Sequence, residues 1–169
     1  MAPVFAAPTF FCDEMLHGLA RWLRAAGYDT AMAERGQGDR AVLARSVAEG
    51  RLLLTCDRAL AQRRAAEGQV VVLAGRHLDA WVAELSRRLC VDWGLAPFTR
   101  CLVCNHALAP APPSVTAGVP AGACGLAPLT WCPQCARVYW PGGHVRRMAA
   151  RLARWRAEAA RKGEQDAQT

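Results

Sequence analysis

Two Cys-x-x-Cys pairs constrain this chain more than any other feature. They are Cys101 and Cys104 in R-C-L-V-C-N, and Cys132 and Cys135 in W-C-P-Q-C-A-R. Each pair can sit on a tight turn and offer two thiolates, and two such pairs close a tetrahedral all-sulfur site, the pattern of structural zinc. Residues near 98–145 therefore read as a zinc ribbon, with metal binding supplying the folding energy that so small a segment lacks. Disulfides or redox pairs are the competing reading. A redox pair opens a helix in a thioredoxin-like unit, whereas Pro133 and the nearby glycines predict turns.

The 169 residues suffice for one medium domain and a small appendage. At 53% hydrophobic residues, the first hundred can bury a core of their own. No run of about eighteen apolar residues occurs, so no membrane span is expected. The opening M-A-P-V-F-A-A-P-T-F-F lacks the basic segment and length of a signal peptide. Eight cysteines, half of them in metal spacing, suit a reducing cytoplasm better than a secreted disulfide scaffold.

Charge is unevenly placed. Residues 1–92 carry 12 Lys and Arg against 11 Asp and Glu, while residues 93–169 carry 9 against 3. The basic excess lies on the ribbon and tail. Twenty of the 21 cations are arginine, which suits bidentate phosphate contact and equally fits an arginine-biased coding composition.

Strand and helix signals alternate through the first part. Strands are expected at Pro8–Cys12, Tyr28–Met32, Arg51–Thr55 and Gln69–Leu73. Helices are expected at Glu14–Ala26, Asp39–Glu49, Asp57 or Arg58 to Glu67, and His77–Leu89, by apolar periodicity and glycine stops. This order predicts an α/β fold with a parallel sheet flanked by helices. The expected division is an α/β domain at 1–92, the ribbon at 93–145 and a basic helical tail at 146–169. Ala107–Pro128, rich in Ala, Pro and Gly, reads as an extended mobile loop, and Gly163–Thr169 as a frayed end. Met148, Leu152 and Trp155 form one stripe on the tail helix.

Three acids hold matching positions. Asp13 follows the first strand, Asp57 follows the third, and Asp39 leads the helix between them. Residues just past the carboxyl ends of parallel strands converge on one crevice. Three carboxylates there could hold magnesium or manganese, hard cations that favour oxygen ligands and assist phosphoryl chemistry. Each could instead cap its helix, and Glu14 reads as an assistant to Asp13 or a first-turn acid. His17 is a surface or catalytic residue, Cys12 and Cys56 are small core residues, and Cys124 is a spare thiol. Arg58 follows Asp57 and could reach the crevice.

Longer motifs carry a resemblance. D-E-M-L-H-G-L-A-R-W-L-R-A-A-G-Y-D-T (Asp13–Thr30) and G-R-L-L-L-T-C-D-R-A-L (Gly50–Leu60), then R-C-L-V-C-N and W-C-P-Q-C-A-R-V-Y-W-P-G-G-H-V-R-R-M, resemble the Mut7-C RNase domain family in the same order over about residues 9–149. The resemblance implies a PIN-like, metal-dependent nuclease fold fused to a zinc ribbon. It implies metal-binding roles for Asp13, Asp39 and Asp57 and zinc ligation by Cys101, Cys104, Cys132 and Cys135. The chain departs from the family at Cys56, where a basic residue is expected, and in the Pro/Ala-rich loop. No fourth acid is evident.

The expected function is a metal-dependent ribonuclease, an endonuclease, whose ribbon presents Arg137, Trp140, Arg146 and Arg147 to RNA. Trp140 reads equally as ribbon core. The alternative is a binding module that holds RNA or the ribosome without cleaving it. A phospho-receiver reading of Asp13, Glu14 and Asp57 requires a lysine after a later strand, and the one lysine is Lys162 in the tail. Control by a protein inhibitor rests on fold analogy alone.

Overall fold

The computed structural model describes residues 7–62, 68–120 and 128–166. Short apolar runs become strands β1 (Phe10–Cys12), β2 (Thr30–Met32), β3 (Leu52–Thr55) and β4 (Val70–Val72). They form one parallel sheet in the order β2-β1-β3-β4. The interleaved helices are α1 (His17–Ala26), α2 (Asp39–Ala48), α3 (Arg58–Ala61) and α4 (Leu78–Leu89), with a 3-10 turn at Glu14–Leu16 ahead of α1. The sequence placed the last part of the third helix at 63–67, outside the described residues.

Neighbouring residues on a strand point to opposite faces, and here both faces are buried, as parallel sheets require. Phe11 and Leu53 pack on one face with Val42 and Leu43 of α2 and Leu60 of α3. Phe10, Cys12 and Leu54 pack on the other with Leu19 and Leu23 of α1 and Val82 and Leu85 of α4.

Beyond α4 come three short antiparallel strands, β5 (Ala109–Pro110), β6 (Thr130–Trp131) and β7 (Val138–Tyr139), in the order β5-β6-β7. The described part of the expected mobile loop thus holds β5 and a 3-10 turn at Pro113–Val115, while 121–127, with Cys124, lie outside the described residues. The last helix, α5, spans Gly143–Asp166. It runs through Gly163, so the frayed end expected there is helical up to Asp166; residues 167–169 lie outside the described residues. Among the described residues, no helix is long and apolar enough to cross a membrane.

The stripe on α5 is core. Met148, Leu152 and Trp155 are buried in the same cluster as α1 and α4. The Trp155 ring meets Trp22 edge-on at 4.8 Å and Trp93 at 5.2 Å between centroids. Its indole Nε1 donates to Asp79 Oδ1 at 2.8 Å, and Arg151 Nη2 donates to both oxygens of the same carboxylate at 3.1 and 3.2 Å. Asp79 of α4 therefore pins α5 in place.

Burial alone would raise the Asp79 pKa, but hydrogen bonds from Arg151 and Trp155 and the charges of Arg151 and Arg154 hold it below its ordinary value of 3.8. A depressed carboxylate stabilises the fold above its unfolded pKa and stops doing so as pH falls through its folded value. Asp79→Asn should lower the melting temperature at neutral pH, and the gap from wild type should close below about pH 4. A gap that stays constant down the pH series, measured by circular dichroism, would remove the charge from this account.

Candidate functional site

The strand order reverses between β1 and β3, and a ligand crevice forms at such a switch point beyond the carboxyl ends of the strands. Asp13 and Asp57 occupy those two ends. Each caps the helical turn after it, as the helix-start positions predicted: Asp13 Oδ1 accepts the Glu14 N–H at 2.7 Å, and Asp57 Oδ1 accepts the Ala59 N–H at 2.8 Å. Capping is only part of their bonding. The buried Thr55 hydroxyl donates to Asp13 Oδ2 at 2.7 Å and accepts the Asp57 N–H at 3.0 Å. One side chain thus ties the ends of β1 and β3 together.

Asp39 is the first residue of α2. The loop ahead of it is held from the crevice side, because Glu14 Oε2 accepts the Gly36 N–H at 2.8 Å. The three carboxylates are not drawn into one tight cluster. Among the described residues, the four cysteines of the ribbon are the one set of three or more metal-capable side chains whose donor atoms lie within 4.8 Å of one another.

The sequence shows no fourth acid, and Glu84 of α4, the acid whose charge reaches Cys56 together with that of Asp13, is engaged elsewhere. Burial raises the Cys56 thiol pKa, and the negative charges of Asp13 and Glu84 raise it further. Glu84 accepts the Ala74 N–H at 3.0 Å and pairs with Arg88 at 2.6 Å, so it also closes the end of β4. Cys12 is a core residue as expected, its thiol pushed up to about 12 by burial. Arg58 opens α3 on the surface beside Asp57.

In the ribbon, the two cysteine pairs build matching knuckles. The Cys101 and Cys132 amides donate to the His106 and Arg137 carbonyls, and the Asn105 and Ala136 amides return to the Cys101 and Cys132 carbonyls. Asn105 and Ala136 take positive φ, 70° and 56°, which turns each chain sharply after its second cysteine. Sulfur separations are 3.5 Å for Cys101 to Cys135, 3.3 Å for Cys104 to Cys132 and 3.8 Å for Cys104 to Cys135. A tetrahedral ion with bonds of about 2.3 Å would set its sulfurs roughly 3.8 Å apart, so the four cysteines can hold zinc. Burial works against ionising Cys101, yet the amides of Cys104 and Val103 and the Tyr139 hydroxyl draw it down to about 6. Cys104 is pushed up to about 12 by burial and by its sulfur neighbours. A dication would relieve that competition and release the remaining protons.

The first knuckle is bolted to the parallel sheet. Arg24, 6% exposed, donates from Nη1 to the Val103 carbonyl at 2.7 Å and the Leu102 carbonyl at 3.3 Å, and from Nε to the Thr30 carbonyl at 2.9 Å. Burial lowers the Arg24 pKa, and the charges of Cys12, Cys101 and Cys104 oppose that. Asn105 accepts the Thr30 N–H, filling the open edge of β2, and donates to Asp29. The Ala96 and Phe98 amides close the last carbonyls of α1, those of Ala26 and Ala25. This approach needs Gly27 (φ +104°), where a Cβ would come within 2.4 Å of the Ala96 oxygen.

The RNA-facing residues named from sequence fall in two places. Arg137 and Trp140 line one groove with His17, Arg21 and His144. Trp140 is 36% exposed and lies outside the buried clusters, so it is not ribbon core. Arg146 donates to the Pro141 carbonyl at 3.2 Å and Arg147 lies against Gly143, both on the first turns of α5.

Replacing Arg24 by Met should weaken zinc binding by about tenfold or more, the usual effect of removing an outer-shell partner. Competition with a chromogenic chelator measures this, and unchanged affinity would show the carbonyl clamp to be dispensable.

The model of the Mut7-C RNAse domain matches residues 8–152. No curated protein and no solved structure matches the chain. With most of its length inside that match, the chain belongs to the Mut7-C RNAse domain family.

Proposed function

We propose that this protein is a metal-dependent ribonuclease, an endonuclease of PIN-like architecture, acting in the cytoplasm. Family membership points to a nuclease-like role. The observation that carries the reading is the Thr55 bridge, which sets Asp13 and Asp57 side by side at the switch point of the sheet. An ionised carboxylate has about four acceptor sites. The caps and the Thr55 hydroxyl use two on Asp13 and one on Asp57, which leaves capacity for a cation.

Asp13, Asp39 and Asp57 are the proposed ligands of magnesium or manganese, and zinc in the ribbon is structural. A bound divalent cation would acidify a water and stabilise charge on the scissile phosphate. In the hydrolysis, a water oxygen joins phosphorus, one phosphorus–oxygen bond breaks, and the leaving oxygen takes a proton. Thr55 orients Asp13 through Oδ2 and holds the Asp57 backbone beside it. Glu14 steadies the loop that carries Asp39, and Arg58 stands beside Asp57 to meet a phosphate. Arg137, Trp140, Arg146 and Arg147 are the proposed RNA contacts on the ribbon and the start of α5.

A second reading, an RNA- or ribosome-binding module that does not cut, draws on the open spacing of the carboxylates. Cleavage of a mixed-structure RNA in manganese decides between them. We expect cutting by wild type and a loss of at least about a hundredfold, the scale of a single electrostatic contributor, in both Asp13→Asn and Asp57→Asn at matched zinc content. RNA binding by wild type with no cutting in either metal would establish the module instead.

A further inference from the structure

We infer that the groove between α1, the ribbon and the first turn of α5 is a subsite for unpaired RNA, taking a base on Trp140 and phosphates on Arg21 and Arg137. The identity of the polymer rests on the nuclease reading; the site itself rests on the charge, shape and aromatic lining of the groove.

The groove encloses about 570 Å³, and among the described residues no carboxylate lines it. That volume is in the range of pockets that bury small ligands. Its basic side chains are Arg21, Arg137, His17 and His144, and the one other ionisable group in the described lining is the Tyr139 phenol, which burial keeps neutral. Among the described residues, neither arginine has a carboxylate partner. Arg21 Nη2 instead faces His144 Nε2 at 3.0 Å. A guanidinium has no acceptor atom, so this pair satisfies no negative charge. Basic groups gathered in a partly apolar cleft are a field waiting for an anion, and a guanidinium fork matches phosphate oxygens.

Phosphate alone would not need the rest of the lining. Val103 on one wall is 54% exposed, and Trp140 on another is 36% exposed. The Trp140 indole rests on the backbone of Gly142, where a Cβ would meet Nε1 at 2.9 Å. The ring is therefore placed by a close approach and still presents surface. The Tyr139 hydroxyl contacts Cys101 Sγ at 3.1 Å and accepts the Leu102 N–H at 3.3 Å, which anchors the same wall to the cysteine cluster. A positioned aromatic beside arginines is the arrangement that stacks a base and tracks a backbone. Bases inside a duplex are already stacked and paired, so the occupant is single-stranded.

The groove also leads to the crevice. His17, which lines it, opens α1 directly after the 3-10 turn capped by Asp13. Four residues of 3-10 chain advance only roughly 8 Å. A strand seated on Trp140 and Arg21 is thereby directed along α1 toward the strand-end acids. In the sequence Arg21 reads as a helix-edge residue open to a phosphate or to water; its place beside His144 on this surface comes from the packing of α1 against the start of α5.

The test uses the full chain carrying Asp13→Asn, without magnesium or manganese, so that binding is read apart from cutting. Fluorescence anisotropy compares a labelled oligouridine with an RNA duplex of equal length. We expect the single strand to bind more tightly. Trp140→Ala should weaken it about tenfold, the size of one lost base stack. Arg21→Ala should reduce the slope of log affinity against log salt by about 0.7, one phosphate on a single strand. Arg87→Ala, on α4 and outside the lining of this groove, should change neither. Unchanged binding in Trp140→Ala and Arg21→Ala at full zinc content overturns the inference, as does preference for the duplex. A second arm needs no groove variant: 4-thiouridine RNA should crosslink to the peptide spanning Tyr139–Arg147 or to α1, and a crosslink confined elsewhere overturns it. Failure of wild type to cut RNA would remove the catalytic reading and leave this result standing.

Discussion

A parallel sheet has to be covered on both faces, and in this chain that requirement organises everything else. One face is closed by α2 and α3, which arise from the strand connections themselves. The other needs α1, α4 and a helix that comes from beyond the ribbon. Trp155 and its neighbours fill that remaining area, locked by the Asp79 carboxylate. The ribbon is consequently an excursion between two helices that pack on each other. Its entry and exit are both fixed, which keeps a small module with little apolar interior in a defined place.

The latch at Arg24 and Asn105 extends this logic to the metal site. The edge strand β2 would leave amide groups unpaired, and the first cysteine knuckle satisfies one of them through Asn105. Arg24 brings a buried positive charge to the thiolate cluster while bonding the carbonyls of the same knuckle. Buried charge is costly unless compensated, so guanidinium and thiolates make each other tolerable. Zinc occupancy, sheet edge and the C-terminus of α1 are in this way one connected unit, and the crevice at Asp13 lies at the other end of α1.

The elements legible in the sequence were those that depend on neighbours along the chain. Apolar runs bounded by glycine gave the four strands within a residue or two, and helical periodicity gave α1, α2 and α4. The cysteine spacing gave the four-sulfur cluster. Asp13 and Asp57 were recognisable because each follows an apolar run and precedes a helix. The reading that changed was the frayed end expected at Gly163, which is helical up to Asp166; of the two readings open for Trp140 the exposed one holds, and the apolar stripe on the tail helix is buried as core.

By itself, the sequence determined the alternation of strand and helix, the two knuckles and the placing of acids at strand ends, because these depend on period, turn chemistry and short spacing. Only the tertiary structure decided that β1 and β3 are neighbours, and so that Thr55 can join Asp13 to Asp57. It alone set Glu84 near Cys56 and brought Arg21 against His144 across 123 residues of chain. Such contacts arise from burying apolar faces of separate elements against one another, and the energy that selects them is spread over the whole core rather than written at either contacting residue.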